Sequence, residues 1–276
     1  KDFTFTPTIF DKNVQMFQTE FRKINKDSNL IADIAYTRSY TSTETNEKNN
    51  ISHFFGNYDL DLNLSEFESS KLTINFEKTS NDTYLKVFDT YITESYIRPE
   101  NFDVLNSELK LELNHENFDL SGGFHAYENL QLTNNDRYHY VLPYYNLSKT
   151  LSTNFVNGSI NFMSNGTNEL KNTNNLRSKV TNDFTYRGFD IITDSGFKNN
   201  FNINIKNLNS IGKNDTEYKT SPQVELMSDF EITSSLPLIK ENNSNKNFFT
   251  PKLSFRFNPS DMKDHSSSER KINISN

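Results

Sequence analysis

Apolar and polar residues alternate along most of this chain with a period of two. In KLTINFEKTSNDTYLKVFD, residues 71–89, Leu72, Ile74 and Phe76 are separated by Thr73, Asn75 and Glu77. Phe3, Phe5 and Ile9 alternate with Thr4, Thr6 and Thr8, and Tyr58, Leu60, Leu62 and Leu64 with Asp59, Asp61 and Asn63. Leu109, Leu111 and Leu113 alternate with Lys110, Glu112 and Asn114; Phe201, Ile203 and Ile205 with Asn202, Asn204 and Lys206; Leu253, Phe255 and Phe257 with Ser254, Arg256 and Asn258. Successive side chains of a strand point to opposite faces, so each segment predicts a β-strand with one oily and one wet side. No segment of comparable length repeats every 3.6 residues, which predicts essentially no helix.

Polar turns separate these strands. DKN at 11–13, NKDSN at 25–29 and TDSG at 193–196 are short; STETNEKNN at 42–50, TNNDR at 133–137, GKNDTEYKTS at 212–221 and KENNSNKN at 240–247 are longer. Turn signals recur after roughly 10 to 16 residues, long for a soluble sandwich and suited to tilted membrane strands of about 9–11 residues. The expectation is an all-β, antiparallel up-and-down meander of roughly a dozen strands, with residues 1–276 forming part of one domain.

Alternation alone does not identify what the apolar face touches, since a soluble β-sandwich alternates too. The length and number of the strands, and a polar face of Asn, Thr, Ser, Asp and Glu, favour a transmembrane β-barrel with a wet lumen. Tyr36, Tyr40, Tyr58, Tyr84, Tyr91, Tyr138, Tyr140, Tyr144 and Tyr145 fall near strand ends and could form interfacial girdles; ordinary cross-strand packing is the alternative. On the barrel reading Leu72, Ile74, Phe76, Leu109, Leu111, Leu113, Ile203, Ile205 and Phe255 face lipid.

Composition agrees with a two-faced sheet. The chain is only 33% hydrophobic, with 24 Phe and 13 Tyr at regular intervals, and its mean hydropathy is −0.77. Disordered chains are poor in aromatics, so this one is expected to fold. A net charge of −7 argues against a phosphate-tracking nucleic-acid binder. There is no cysteine, hence no disulfide or thiolate metal site. No apolar run approaches the roughly 18 residues of a membrane-spanning helix, and the first residues, KDFTFTPTIF, already read as a strand rather than as a signal peptide. The chain reads as an excerpt cut at both ends.

Several segments resemble the lipopolysaccharide-assembly protein LptD family. DFTFTPTIFDKNVQMFQTEFRKI at 2–24 resembles its opening barrel strands, NDTYLKVFD at 81–89 its D-x-x-Y/F-x-x-x-Y/F-D stretch, and LPLIKENNSNKNFFTPKLSFRFNPSDMKD at 236–264 its paired PL-x-K and TPK strands; DRYHYVLPYYNLS at 136–148 is also similar. The resemblance implies an outer-membrane β-barrel of a Gram-negative bacterium, of which this chain covers roughly the first half. It implies lipopolysaccharide as cargo, an LptE-like plug lipoprotein as partner, and a periplasmic Lpt bridge reached through an N-terminal jellyroll outside this chain. Lipid A would leave sideways between the first and last strands while the sugar chain leaves through the lumen. Pro7 matches a proline of the family's early strands and is the lateral-gate candidate, because proline has no N–H to give to a ladder; a simple bulge is the alternative.

Little in the chain points to catalysis. His53, His115, His125, His139 and His265 lack metal-ligand spacing and are expected to be solvated or lumen-facing. Asp59 and Asp61 share a strand face without needing a catalytic reason, and Ser121 in LSGGF lacks the nucleophile-elbow pattern; Gly122 and Gly123 are expected to mark a bend or bulge. No catalytic residue, metal or cofactor is expected. Three function classes remain: a lipopolysaccharide translocon, a general porin or receptor-type barrel, and an outer-membrane hydrolase.

Overall fold

The computed structural model describes residues 1–41, 46–92, 97–152, 157–242 and 245–259. The tail from 260 onward, with His265, lies outside the described residues.

The chain is all-β. Its strands are β1 (Asp2–Ile9), β2 (Gln15–Ile24), β3 (Ser28–Thr41), β4 (Lys48–Asp61), β5 (Ser69–Thr79), β6 (Val104–His115), β7 (Phe118–Asn129), β8 (Tyr138–Ser152), β9 (Gly158–Lys171), β10 (Asn175–Gly188), β11 (Ile191–Ile192), β12 (Lys198–Lys213), β13 (Gln223–Ser235), β14 (Leu238–Asn242), β15 (Asn245–Phe249) and β16 (Lys252–Phe257). Among the described residues, helix is confined to α1 (Tyr84–Val87) and a single 3-10 turn at Asn134–Arg137. Strands pair with their sequence neighbours in the order β1 through β10, then β12, β13 and β16, with the short β11 beside β12. The path is open: among the described residues β1 and β16 do not pair with each other. A closed barrel is therefore not formed by these residues.

Local chemistry sets the turns. Asp11 Oδ1 accepts the N–H groups of Asn13 and Val14 at 2.6 and 2.7 Å, an Asx turn that reverses the chain between β1 and β2. Those bonds are the main cause of an Asp11 carboxyl held below its ordinary range. Asn63, Asn172 and Asn214 take left-handed backbone at φ 51, 53 and 54°, which asparagine tolerates. Ser39, at φ 58°, sits where the β3–β4 register shifts between Thr37 and Tyr40, and its N–H is taken up by Asn50 Oδ1 at 3.2 Å.

The chain forms two compact units. The first comprises Lys1–Glu116, Ser121–Tyr144 and Asn168–Leu176; the second comprises Asn117–Leu120, Tyr145–Thr167 and Arg177–Asn276. In the first, the segment between β5 and β6 does not continue the alternation of residues 71–79. It folds back through α1 and packs Tyr84, Leu85, Phe88, Ile92 and Ile97 against Met16 of β2, Ile31 and Ala35 of β3, and Ile51 and Phe55 of β4. Two ion pairs brace it, Lys86 with Asp103 and Arg98 with Asp89.

Gly123 has a specific reason. A Cβ there would lie 2.0 Å from the Leu109 carbonyl oxygen and 3.1 Å from the Lys110 Cα, so the side chain is excluded by close approach of β6 rather than by a turn. Gly123→Ala is expected to destabilise the folded protein by about 1–3 kcal/mol. Gly56→Ala, whose Cβ would meet the Phe54 ring at 3.4 Å and the Ile31 carbonyl oxygen at 3.8 Å, should cost much less; denaturant unfolding compares the two.

Candidate functional site

The antiparallel register decides which side chains share a face. In the first unit Phe3 pairs with Phe21, Phe21 with Ala32, Ala32 with Gly56 and Gly56 with Phe76. Parallel rows join Tyr58, Ile74 and Leu109, and Leu60, Leu72 and Leu111, with Leu113 opposite Ser70. Leu72, Ile74, Phe76, Leu109, Leu111 and Leu113 thus lie on one apolar face with Phe3, Phe5 and Ile9 of β1. In the second unit Phe201 pairs with Ile232, Ile203 with Phe230, and these with Phe255 and Phe257; Ile205 follows Ile203 on the same face.

No described residue covers these faces within each unit. Phe3 is 65% exposed, Phe255 65% and Phe257 53%. A large apolar side chain left in water forgoes about 1.5–3 kcal/mol relative to burial, and contiguous patches of this kind mark interaction with a membrane or another protein.

In the first unit the opposite face is polar, with one apolar patch. Asn57, Asn75 and Glu108 form one row and Asp59, Thr73 and Lys110 another; Thr73 donates to Asp59 at 2.9 Å and Lys71 pairs with Asp59 at 3.0 Å. Farther along, His125 stacks on Tyr144 at 4.8 Å, Tyr144 donates to Glu108 at 2.8 Å, and His139 lies 3.4 Å from Glu169. The apolar patch lies beneath the 80–103 segment, where Met16, Ile31, Ala35, Ile51 and Phe55 are buried.

A buried polar network pins that segment. Asp33 and His53 are fully buried. Gln18 Nε2 donates to both Asp33 carboxylate oxygens at 3.0 and 2.9 Å, and His53 Nε2 lies 3.3 Å from Asp33 Oδ1 without hydrogen-bond geometry. His53 Nδ1 meets the Tyr84 hydroxyl at 3.0 Å. Burial pushes the Tyr84 phenol above its ordinary range, which keeps its hydroxyl protonated and able to donate. A second tether runs from Arg137 to Asp82 and Glu128, each at 2.8 Å, and from Lys78 to Glu128 at 2.6 Å.

These placements correct two expectations. His53, expected to be solvated or lumen-facing, is buried against Tyr84 and Phe55, and Tyr84, expected as a girdle residue or a cross-strand packing residue, is a fully buried anchor in α1. The strand pattern held a signal for this: NLIADIAY in β3 and the adjacent Phe54–Phe55 in β4 put apolar residues on both faces, as strands covered on both sides do. Among the described residues no group of three or more His, Asp or Glu could hold a metal ion, and no helix is long and apolar enough to cross a membrane.

The β1 edge carries Pro7. The Phe10 N–H donates to the Val14 carbonyl at 3.1 Å, and the register is unbroken from Asp2 opposite Arg22 to Ile9 opposite Gln15. Hydrogen-bonded and non-hydrogen-bonded pairs alternate in an antiparallel ladder, so Thr8–Met16 and Thr6–Gln18 are bonded pairs and Pro7–Phe17 is not. The donor that Pro7 lacks belongs to the outer side of β1, away from β2.

Tyr84→Phe leaves His53 Nδ1 without its partner and is expected to cost about 1–3 kcal/mol. Val87→Ala, on an exposed position of the same helix, should stay within about 0.5 kcal/mol. Denaturant unfolding of the two variants side by side is the check.

No family model matches the chain, and no curated protein matches it.

Proposed function

We propose that this chain is the strand-forming part of an outer-membrane translocon that inserts lipopolysaccharide into the outer leaflet of a Gram-negative bacterium through a laterally gated β-barrel. The observation that carries this reading is the β1 edge. It is an edge strand, paired with β2 on one side and with no strand on the other among the described residues, with exposed Phe3, Phe5 and Ile9 on its apolar side, and Pro7 withholds one donor from whatever strand would close against it. A seam with a missing donor separates more easily, which suits sideways release of an acyl-chain cargo.

Further support comes from the pairing of an uncovered apolar face with a polar one. In hydrocarbon every backbone polar group must be satisfied inside the sheet, and a closed barrel does so while keeping a wet interior. On this reading Leu72, Ile74, Phe76, Leu109, Leu111, Leu113, Ile203, Ile205 and Phe255 face acyl chains. The remaining strands, the LptE-like plug and the periplasmic bridge are supplied from outside this chain. No catalytic step is assigned.

In the full-length protein Pro7→Ala restores the donor on the closing side. It is expected to tighten the seam and lower lipopolysaccharide delivery, read as increased sensitivity of the cells to large hydrophobic antibiotics at unchanged protein level. An unchanged permeability barrier and unchanged surface lipopolysaccharide would reduce Pro7 to an edge-strand proline without a gating role.

A further inference from the structure

The ladder to β2 holds β1 along one side. At its far end the strand has a second attachment. Phe10, the residue after β1, continues the series Thr4, Thr6 and Thr8, so its ring stands on the polar face, where the chain between β5 and β6 is docked. There it meets two aromatic side chains edge to face, Tyr91 at 4.7 Å between ring centroids and Phe88 at 5.6 Å. Edge-to-face pairs at such distances stabilise beyond the apolar area they bury.

The β1–β2 connection does not need this ring. Its Asx turn is closed by the Asp11 carboxylate and backbone N–H groups. Nor does the buried cluster need Tyr91, which is 49% exposed and lies outside it. The contact between the two rings joins the docked chain to the edge strand.

The docked side of that contact is firmly placed. The Phe88 N–H donates to the Tyr84 carbonyl at 3.0 Å and the Tyr91 N–H to the Phe88 carbonyl at 2.9 Å, so both rings ride on the turn that begins at Tyr84. The Tyr84 hydroxyl meets His53 Nδ1 at 3.0 Å, and the Phe88 ring also packs on Tyr40 of β3 at 5.9 Å. A contiguous path of contacts thus runs from His53 in β4, through Tyr84 and Phe88, to Phe10 at the end of β1. Coupling carried by such a path needs an element with two arrangements. An edge strand, which can be joined or parted, is such an element.

We infer that residues 84–92 form a clamp on the β1 edge: docked on β2, β3 and β4, they hold Phe10 through Phe88 and Tyr91 and keep the end of β1 in place, and undocking releases it. Phe10 and Tyr91 are positioning residues that act on the edge through β1. The inference rests on the reading of that edge as one side of a lateral opening, and adds that the freedom of the edge is set from the polar face. Pro7 and Phe10 then act in opposite senses on one strand, the first withholding a donor from its outer side and the second tying down its end.

The test is hydrogen–deuterium exchange of the full-length protein folded in detergent, read by mass spectrometry on peptides spanning residues 2–10. Thr6 and Thr8 lie in bonded pairs with β2, and the Phe10 N–H donates to Val14 at 3.1 Å, so exchange at these amides reports opening of the ladder. Tyr91→Ala should speed it about two- to tenfold, the effect of one aromatic pair, while peptides from β3 and β4 keep their wild-type rates. Tyr91→Phe keeps the ring and should exchange as the wild type does. Phe10→Ala, which loses both ring contacts, should exchange at least as fast as Tyr91→Ala, and adding Tyr91→Ala to it should change nothing further because the shared contact is already gone. In cells, Tyr91→Ala is expected to restore part of the delivery lost in Pro7→Ala.

The inference is overturned if Tyr91→Ala leaves β1 exchange unchanged, if it speeds β1, β3 and β4 alike, or if the effects of Phe10→Ala and Tyr91→Ala multiply in the double variant. Faster β1 exchange in Tyr91→Ala, alongside a Pro7→Ala variant with normal delivery, would keep the clamp and count against the lateral opening. Unchanged exchange would remove the clamp whatever Pro7→Ala does to delivery.

Discussion

A slip of one residue between any two neighbouring strands would exchange the two faces of this sheet. Side chains alternate with period two, so the ladder of backbone hydrogen bonds fixes the apolar and polar surfaces together with the pairing. Moving β5 by one position against β4 would put Leu72, Ile74 and Phe76 among Asn57 and Asp59, and Thr73, Asn75 and Glu77 among Tyr58 and Leu60. The observed register from β1 to β6 keeps Phe, Leu and Ile in continuous rows, and the β12–β13–β16 register does so in the second unit. Everything proposed about lipid contact and the β1 edge depends on that pairing.

The polar face is specialised by what lies over it. Where the 80–103 segment covers β2, β3 and β4, the wall becomes a small hydrophobic core with a buried carboxylate and imidazole inside it. Removing one member of such a pair costs more than the pair itself contributes, because the other is left in a low-dielectric setting. Where no described residue of its unit covers it, as at Asn202 and Asn204, the wall keeps amides half-exposed.

Strand positions were legible because alternation is a local property: alternating segments such as residues 72–76 and 201–205 lie in strands. The end of β5 was not. TSNDTYLKVFD looks like a continuation of the preceding strand, yet the strand stops at Thr79 and a helical turn follows. Tyr84 and Leu85 are buried there against residues far away in sequence, and such packing overrides local preference. The roles of His53 and Asp33 were hidden for the same reason, since a buried polar pair is defined by partners that only the fold brings together. Gly123 shows the limit from the other side. Its flexibility suggested a bend or bulge; the structure adds the proximity of the Leu109 carbonyl, which leaves no room for a Cβ.

The 80–103 segment also imposes an order of assembly. Most strands of this meander meet the strand next to them in sequence, so pairing can proceed from hairpin to hairpin with small loop-closure costs. The segment between β5 and β6 docks instead on a surface made by β2, β3 and β4, and that surface exists only after those three strands are in register. Until then Tyr84, Phe88 and Ile92 are an exposed apolar stretch at the point where β6 must join β5. A chaperone that shields this stretch while the first four strands assemble would act at the step where the growing sheet has most to lose by aggregation.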